Sequence, residues 1–376
     1  MTEKYHARYT GLKTVPMSGE LPSLYDDFLS RMESRYGLKR VANWPLPAIN
    51  IFCVVFEVRE SDNRANTIVA LAQEPDIETA QLVQTFDSQS EAYNDPYLPL
   101  QHGFHDIDAF NSHQWTRGKG IRVAVIDTGM DDTHPDLAAS SEATRNFVDS
   151  DVATFRADTH GTAIGGIIAA EANNGAGMVG IAPDAALLGL KACWHTSPDE
   201  SRARCNTLTL AKALNYSIEQ EVDIINLSLT GPPDPVLERL VLKALSNDIV
   251  VIGAIPTHNE KAFPVSIPGT IAVAMPGKHL QELSAPGHRV LSTSPNDQYD
   301  FYDGSSFSTA HVTGLVALVR SLSPTLTPVE LSALLVNTAN PQTGAANACR
   351  ALDVVMYAED ESRNGSRCVP VKNPPN

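Results

Sequence analysis

The chain has 376 residues, enough for more than one hydrophobic core, and its 43% hydrophobic and 19% charged content is ordinary for a globular protein. A formal charge of −16 makes its surface repel nucleic acid and anionic membranes, so no nucleic-acid partner is expected. No run approaches about 18 uninterrupted apolar residues, so no membrane span is expected, and the start MTEKYHARYT lacks the basic-then-apolar order of a signal peptide.

Residues 1–93 read as a separate unit. SLYDDFLSRMESRYGL (23–38) places Leu24, Phe28, Met32 and Tyr36 on one helical face. KRVANWPLP and NIFCVVFEV follow as adjacent strands, NRANTIVALAQE as a second helix and TAQLVQTFD as a third strand. This αββαβ order predicts a small α+β, split-βαβ (ferredoxin-like) sandwich. SEAYNDPYLP (90–99), polar and with two prolines, reads as a linker.

From about residue 119 the pattern changes. GIRVAVIDTG, ALLGLKAC, DIINLSL, DIVVIGAI and GTIAVAM are short β-branched runs, separated by helical stretches such as TAIGGIIAAEA and LTLAKALNYSIEQ. Continuous apolar strands alternating with helices predict an α/β domain over 94–358, its mainly parallel sheet covered on both faces. Active groups gather at the carboxyl ends of such strands. Thr327, Pro328 and Glu330 have capping-box spacing with proline at the first helical position, predicting a helix through about Thr338. Residues 359–376 read as a polar, loosely ordered tail.

Five cysteines are too few for a disulfide scaffold, and no CxxC or HExxH pattern suggests zinc. Cys193 and Cys205 bracket a polar excursion, and Cys349 and Cys368 bracket the last segment. Two bridges closing short loops, with Cys53 free, suit an exported (periplasmic or secreted) protein; unpaired thiols in a cytoplasmic one are the alternative.

Three residues could carry chemistry, each with an ordinary reading beside it. Asp127 ends the strand IRVAVID, where an acid serves as catalyst, ligand or turn residue, and the absence of GxGxxG excludes a dinucleotide fingerprint. His160 opens a helical stretch, where a histidine is commonly a cap or surface residue. Ser306 precedes the apolar stretch FSTAHVTGLVALV, where a serine is commonly an N-cap; Ser308 breaks the GxSxG pattern, against an α/β-hydrolase.

Together, in the order Asp127, His160, Ser306, with DTG, HGT and GSS around them, they resemble the subtilisin-like serine proteases. IRVAVIDTGMDDTHPDL is similar to that family's aspartate motif, HGTAIGGIIAA with NNGAGMVGIAP to its histidine motif, and GSSFSTAHVTG to its serine motif. DIINLSL is similar to its substrate-pairing strand, and residues 1–93 resemble its propeptide, which assists folding and plugs the active site.

The resemblance implies an endopeptidase acting on protein or peptide substrates and needing no cofactor for its chemistry. Ser306 is then the nucleophile, His160 the general base and Asp127 its orienting carboxylate. The Ser306 backbone N–H serves as an oxyanion donor, and Ser228, Leu229 and Thr230 bind substrate by strand addition. It also implies self-cleavage of a precursor near Tyr93–Asn94.

Three departures qualify the match. Pro256 stands, by gapless alignment, where relatives place an oxyanion asparagine, which leaves Asn259 as the nearest amide. Ala310 replaces the usual proline of the serine motif. Thr230 stands where many relatives have glycine, which implies an altered primary pocket. Structural calcium is implied at Asp136, Asn173 and Asn174, with Gln101 beside them. The alternative function is a pseudoprotease, a peptide-binding module with little turnover.

Overall fold

Val123 and Val125 belong to one apolar core and Ala124 and Ile126 to another. A strand whose two faces are both buried needs apolar residues at every position, which is why IRVAVID carries no polar alternation. That strand lies inside a six-stranded sheet in the computed structural model, which describes residues 6–11, 23–49, 51–58, 64–83, 93–195, 203–256, 262–277, 282–357 and 368.

The chain divides into the units Met1–Gln89 and Ser90–Asn376. The first contains β1 (His6–Gly11), α1 (Ser23–Tyr36), β2 (Leu38–Leu46), β3 (Ile51–Val58), α2 (Arg64–Ala72) and β4 (Thr79–Leu82). Its antiparallel sheet has the order β2-β3-β1-β4. On β3, Phe52, Val54, Phe56 and Val58 recur at period two and meet Leu29 from α1 and Leu71 from α2. The observed order is βαββαβ. The stretch HARYTG has no branched aliphatic residue, so β1 gave no strand signal, yet it supplies the rung between β3 and β4.

The second unit begins with α3 (His102–Asp106) and α4 (Ala109–Ser112), then β5 (Arg122–Asp127), β6 (Ser141–Asn146), α5 (Val152–Arg156), α6 (Thr159–Ala169) and β7 (Ala186–Lys191). A hairpin of β8 (Cys193–His195) and β9 (Ala203–Cys205) follows, then α7 (Thr207–Glu219), β10 (Ile224–Leu227), α8 (Pro235–Ser246), β11 (Val250–Ala254) and β12 (Ile271–Val273). The chain continues through β13 (Val290–Ser294), β14 (Gln298–Tyr302), α9 (Ser305–Leu322), α10 (Pro328–Thr338) and α11 (Ala348–Met356). The main sheet is parallel throughout, in the order β12-β11-β10-β5-β7-β6. Residues of α6 and α9 join the core on one face, and residues of α7 and α8 the core on the other.

Local signals account for several boundaries. Thr327 and Glu330 form both halves of the capping box that starts α10. Disulfides join Cys193 to Cys205 across the β8–β9 hairpin and Cys349 of α11 to Cys368, while Cys53 is free and buried. Residues 359–367 and 369–376 of the expected tail lie outside the described residues.

The compact division falls after Gln89, and Tyr93 packs within the second unit. Its hydroxyl donates to His113 Nδ1 at 2.5 Å, and its ring meets Phe110 edge-on.

Candidate active site

Asp127 closes β5, a central strand, and Ser228 follows β10 next to it, so both lie at carboxyl ends of adjacent parallel strands. His160 is the second residue of α6. Gly161 lets that helix reach the strand end: a Cβ there would lie 1.9 Å from the Gly129 carbonyl oxygen and 3.2 Å from Asp127 Cβ. Ser292 and Thr293 of β13 donate to the Ala163 and Thr162 carbonyls, pinning the same helix from its other side.

The geometry brings His160 onto Asp127 directly. His160 Nδ1–H donates to Asp127 Oδ1 at 2.8 Å; Asp127 is buried, and a third of the His160 side chain is open to solvent. The ring is thereby held in one tautomer with Nε2 free of Asp127. Burial pulls the His160 pKa down. The charge of Asp127, its hydrogen bond and the charge of Asp158 outweigh that, so the net shift is upward.

Ser306 lies in the first turn of α9, after Gly304, whose φ of 149° is accessible to glycine. From Phe307 to Arg320 this helix is buried throughout, so its first turn cannot shift without moving the core. First-turn N–H groups have no partner inside a helix and carry the positive end of its dipole, where a developing oxyanion is favoured. Phe307, the residue after Ser306, lies 5.5 Å from the His160 ring and stacks on Tyr302 at 5.3 Å, which brings the start of α9 to the histidine.

The Ser306 hydroxyl itself donates to the Ser228 carbonyl at 3.1 Å, and the Ser228 hydroxyl returns a bond of 3.1 Å to the Ser306 carbonyl. With its hydroxyl on that acceptor, Ser306 would have to turn its hydroxyl to donate to His160. Hydrogen bonds of catalytic groups are often made only once substrate arrives.

The remaining expected site residues divide. Ser228, Leu229 and Thr230 lie between the end of β10 and a bridge from Gly231 to Phe263; Ser228 is buried, Leu229 half-buried and Thr230 exposed. Pro256 lies two residues beyond the end of β11, whereas Asn259 lies outside the described residues. Sequence reasoning missed Asn226 and Thr313, a buried pair that fixes Ser228: Thr313 Oγ1 donates to Asn226 Oδ1 at 2.8 Å, and Asn226 Nδ2 donates to Ser228 Oγ at 3.0 Å. It also missed Thr128, Asp158 and Lys191. Only Asp158 had a signal, as an acid capping position just ahead of the histidine helix.

A second cluster forms around Asp136, one of the residues expected to hold calcium. Asp136 is fully buried and accepts from Asn174 Nδ2 at 2.7 Å, Met178 N at 2.9 Å and Tyr299 Oη at 3.0 Å. Asn173 turns its side-chain oxygen to the Asn94 N–H, and the Gln101 amide closes on both backbone groups of Val179, so neither side chain faces Asp136. Asp95, read from sequence as linker, takes their place: it is buried and accepts from Asn173 N at 2.9 Å.

Burial raises the pKa of Asp136, and burial together with the Asp136 charge raises that of Asp95. Two buried carboxylates that each disfavour ionisation suit an oxygen-seeking divalent cation. Asn174 presents Nδ2 to Asp136 while its Oδ1 accepts from Ala176 N at 2.8 Å, so Asp95 and Asp136 supply the carboxylates here and a calcium ion would need the Asn174 amide turned over.

Comparison with known proteins agrees with this architecture. The sequence profile of the subtilase family matches residues 118–255 and 235–353. The chain is 36% identical over 228 residues to the major intracellular serine protease of Bacillus subtilis, covering 54% of this chain and 70% of that protein. It is 34% identical over 250 residues to subtilisin E of the same organism, covering 61% and 63%. With a thermophilic serine proteinase of a Bacillus species it shares 29% identity over 327 residues, covering 82% and 79%.

A solved protease structure from Pseudoalteromonas arctica superposes with a TM-score of 0.56 at 24% identity, covering 70% of this chain and all of that one, a likeness of fold. With the profile spanning most of the α/β unit, the chain belongs to the subtilase family.

Proposed function

We propose that this chain is a serine endopeptidase that cleaves peptide bonds through an acyl-enzyme at Ser306. The observation that carries the reading is the His160–Asp127 hydrogen bond beside the first turn of α9. Ser306 Oγ attacks the scissile carbonyl and forms the acyl bond, His160 Nε2 takes its proton and delivers it to the leaving amine, and Asp127 stabilises the imidazolium.

Water then attacks the ester with His160 as base, which releases the acid and restores Ser306. The base works as neutral imidazole, so kcat/KM rises with pH through the His160 pKa, which lies above the ordinary histidine value.

Substrate adds as an extended strand along Ser228–Thr230, with main-chain bonds for affinity and side-chain pockets for choice. The Ser306 N–H faces the oxyanion, and Asn259 is the proposed second donor, because proline at 256 has no N–H to give. Calcium held by Asp95 and Asp136, with the Asn174 amide turned to offer its oxygen, would tie the start of the second unit to the loop after α6 and take no part in bond cleavage.

Residues 1–93 act as an inhibitory folding domain, 94–358 as the peptidase and 359–376 as the tail, with self-cleavage in the linker. Cleavage at Tyr93–Asn94 requires release of the bonds from Tyr93 to His113 and from Asn94 to Asn173 and Gly175. Intact-mass measurement over time reads that step.

Pro256 and the Ser306–Ser228 bond favour one second reading, a peptide-binding relative with little turnover. Ser306→Ala separates the two. The peptidase reading expects a loss of about 10⁶-fold in kcat with the fold intact, the size known for subtilisin itself. Equal, slow hydrolysis by both proteins contradicts it.

A further inference from the structure

Resting on the peptidase reading, we propose that Asp158 is a positioning residue, a second carboxylate that holds His160 in place and stabilises the imidazolium formed during proton transfer. Asp158 caps α6, its Oδ1 accepting from the His160 backbone N–H at 3.2 Å. The Thr128 hydroxyl donates to the same Oδ1 and lies 3.0 Å from Asp127 Oδ1, the oxygen that accepts from the His160 ring. Two buried carboxylates are thus joined through one hydroxyl, and each is bonded to His160, one at the ring and one at the backbone.

The groups facing this junction come from four elements. Asp127 stands on β5. Lys191 on β7 is buried with its ammonium donating to the Thr128 carbonyl, which fixes the backbone between the carboxylates. His195 on β8 places Nε2 3.5 Å from Asp158 Oδ2, and α9 contributes the apolar Phe307 ring against His160. An imidazolium generated here meets two acids in a low-dielectric setting, and its stabilisation falls when either loses its charge.

Capping alone does not require that charge, since asparagine and serine cap helices as well as aspartate does. Asp158→Asn keeps the acceptor and removes the charge, so it separates the two roles. The His160 ring is titrated by NMR in a Ser306→Ala background, which prevents self-digestion.

Asp158→Asn is expected to lower the His160 pKa by at least about 0.5 pH unit, because loss of a nearby anion disfavours the cation. With Ser306 restored, the acid limb of kcat/KM moves down by the same amount, and plateau kcat falls about 3- to 10-fold with KM little changed. Asp158→Ser, which also caps without charge, repeats the test should the asparagine variant fold poorly. A His160 pKa within about 0.2 pH unit of the parent in a folded variant overturns the proposal and leaves Asp158 a cap. Should the wild type neither cleave peptides nor take an active-site probe, the peptidase reading fails separately, while the NMR titration still reports on Asp158.

Discussion

Two aspartates of the second unit, Asp127 and Asp136, are both buried, lie nine positions apart and are surrounded quite differently. Asp127 faces a ring that carries a proton and can give it up at one nitrogen while keeping it at the other. Asp136 accepts instead from N–H and O–H donors, with the His134 ring acting on its carboxyl only through charge, and the Asp136 charge adds to burial in raising the pKa of Asp95. On the proposed reading, the acid hydrogen-bonded to an imidazole ring serves proton transfer, and the acid ringed by amide and hydroxyl donors serves a cation. The partner, not the aspartate, decides the role.

The sharpest way to break this contrast is Asp127→Asn. It keeps the shape but exchanges an acceptor for an amide that stabilises the wrong imidazole tautomer, and kcat is expected to fall about 10⁴-fold, as in the well-studied serine proteases. The melting temperature should hold within a few degrees. A loss below about tenfold in steady-state peptide hydrolysis would remove Asp127 from the proton path.

A smaller effect is expected at the oxyanion. Asn259→Ala should lower kcat at least about 30-fold, or about 2 kcal/mol, with KM little changed. If kcat holds within threefold, Asn259 serves its own loop through an Asx-turn, and Thr257 and His258 are the next residues to change.

The smallest effect on chemistry, and the largest on stability, belongs to the acidic pair. Chelation of calcium should lower the melting temperature by about 5–10 °C, from roughly 2.7 kcal/mol of binding linkage at a hundredfold excess over Kd. Activity at 25 °C should change less than threefold. Asp95→Asn should melt early and ignore added calcium. A parent protein whose melting curve is the same with calcium and with chelator contradicts the cation assignment.

Much of this was legible because the central strands are buried on both faces, so β5, β7, β10 and β11 announce themselves as apolar runs. The edge strand β6 reads SEATRN and gave no such signal, having little to bury. The catalytic candidates were legible through short motifs around Asp127, His160 and Ser306. Their supports were not, because the contacts span long stretches of chain: Asn226 with Thr313 across 87 positions, Asp95 with Asn173 across 78, Tyr299 with Asp136 across 163. Asp158 lies two residues from His160, but its link to Asp127 runs through Thr128, which only the fold brings near.

The central claim is that His160 and the turn holding Ser306 make that one hydroxyl reactive. Brief treatment with a fluorophosphonate, followed by intact-mass and peptide mapping, reads it directly, because the probe needs an activated serine and an oxyanion site. The account predicts one adduct per chain, on Ser306, absent from Ser306→Ala and at least about a hundredfold slower in His160→Ala. An unmodified wild-type chain, or an adduct on another serine, would contradict it.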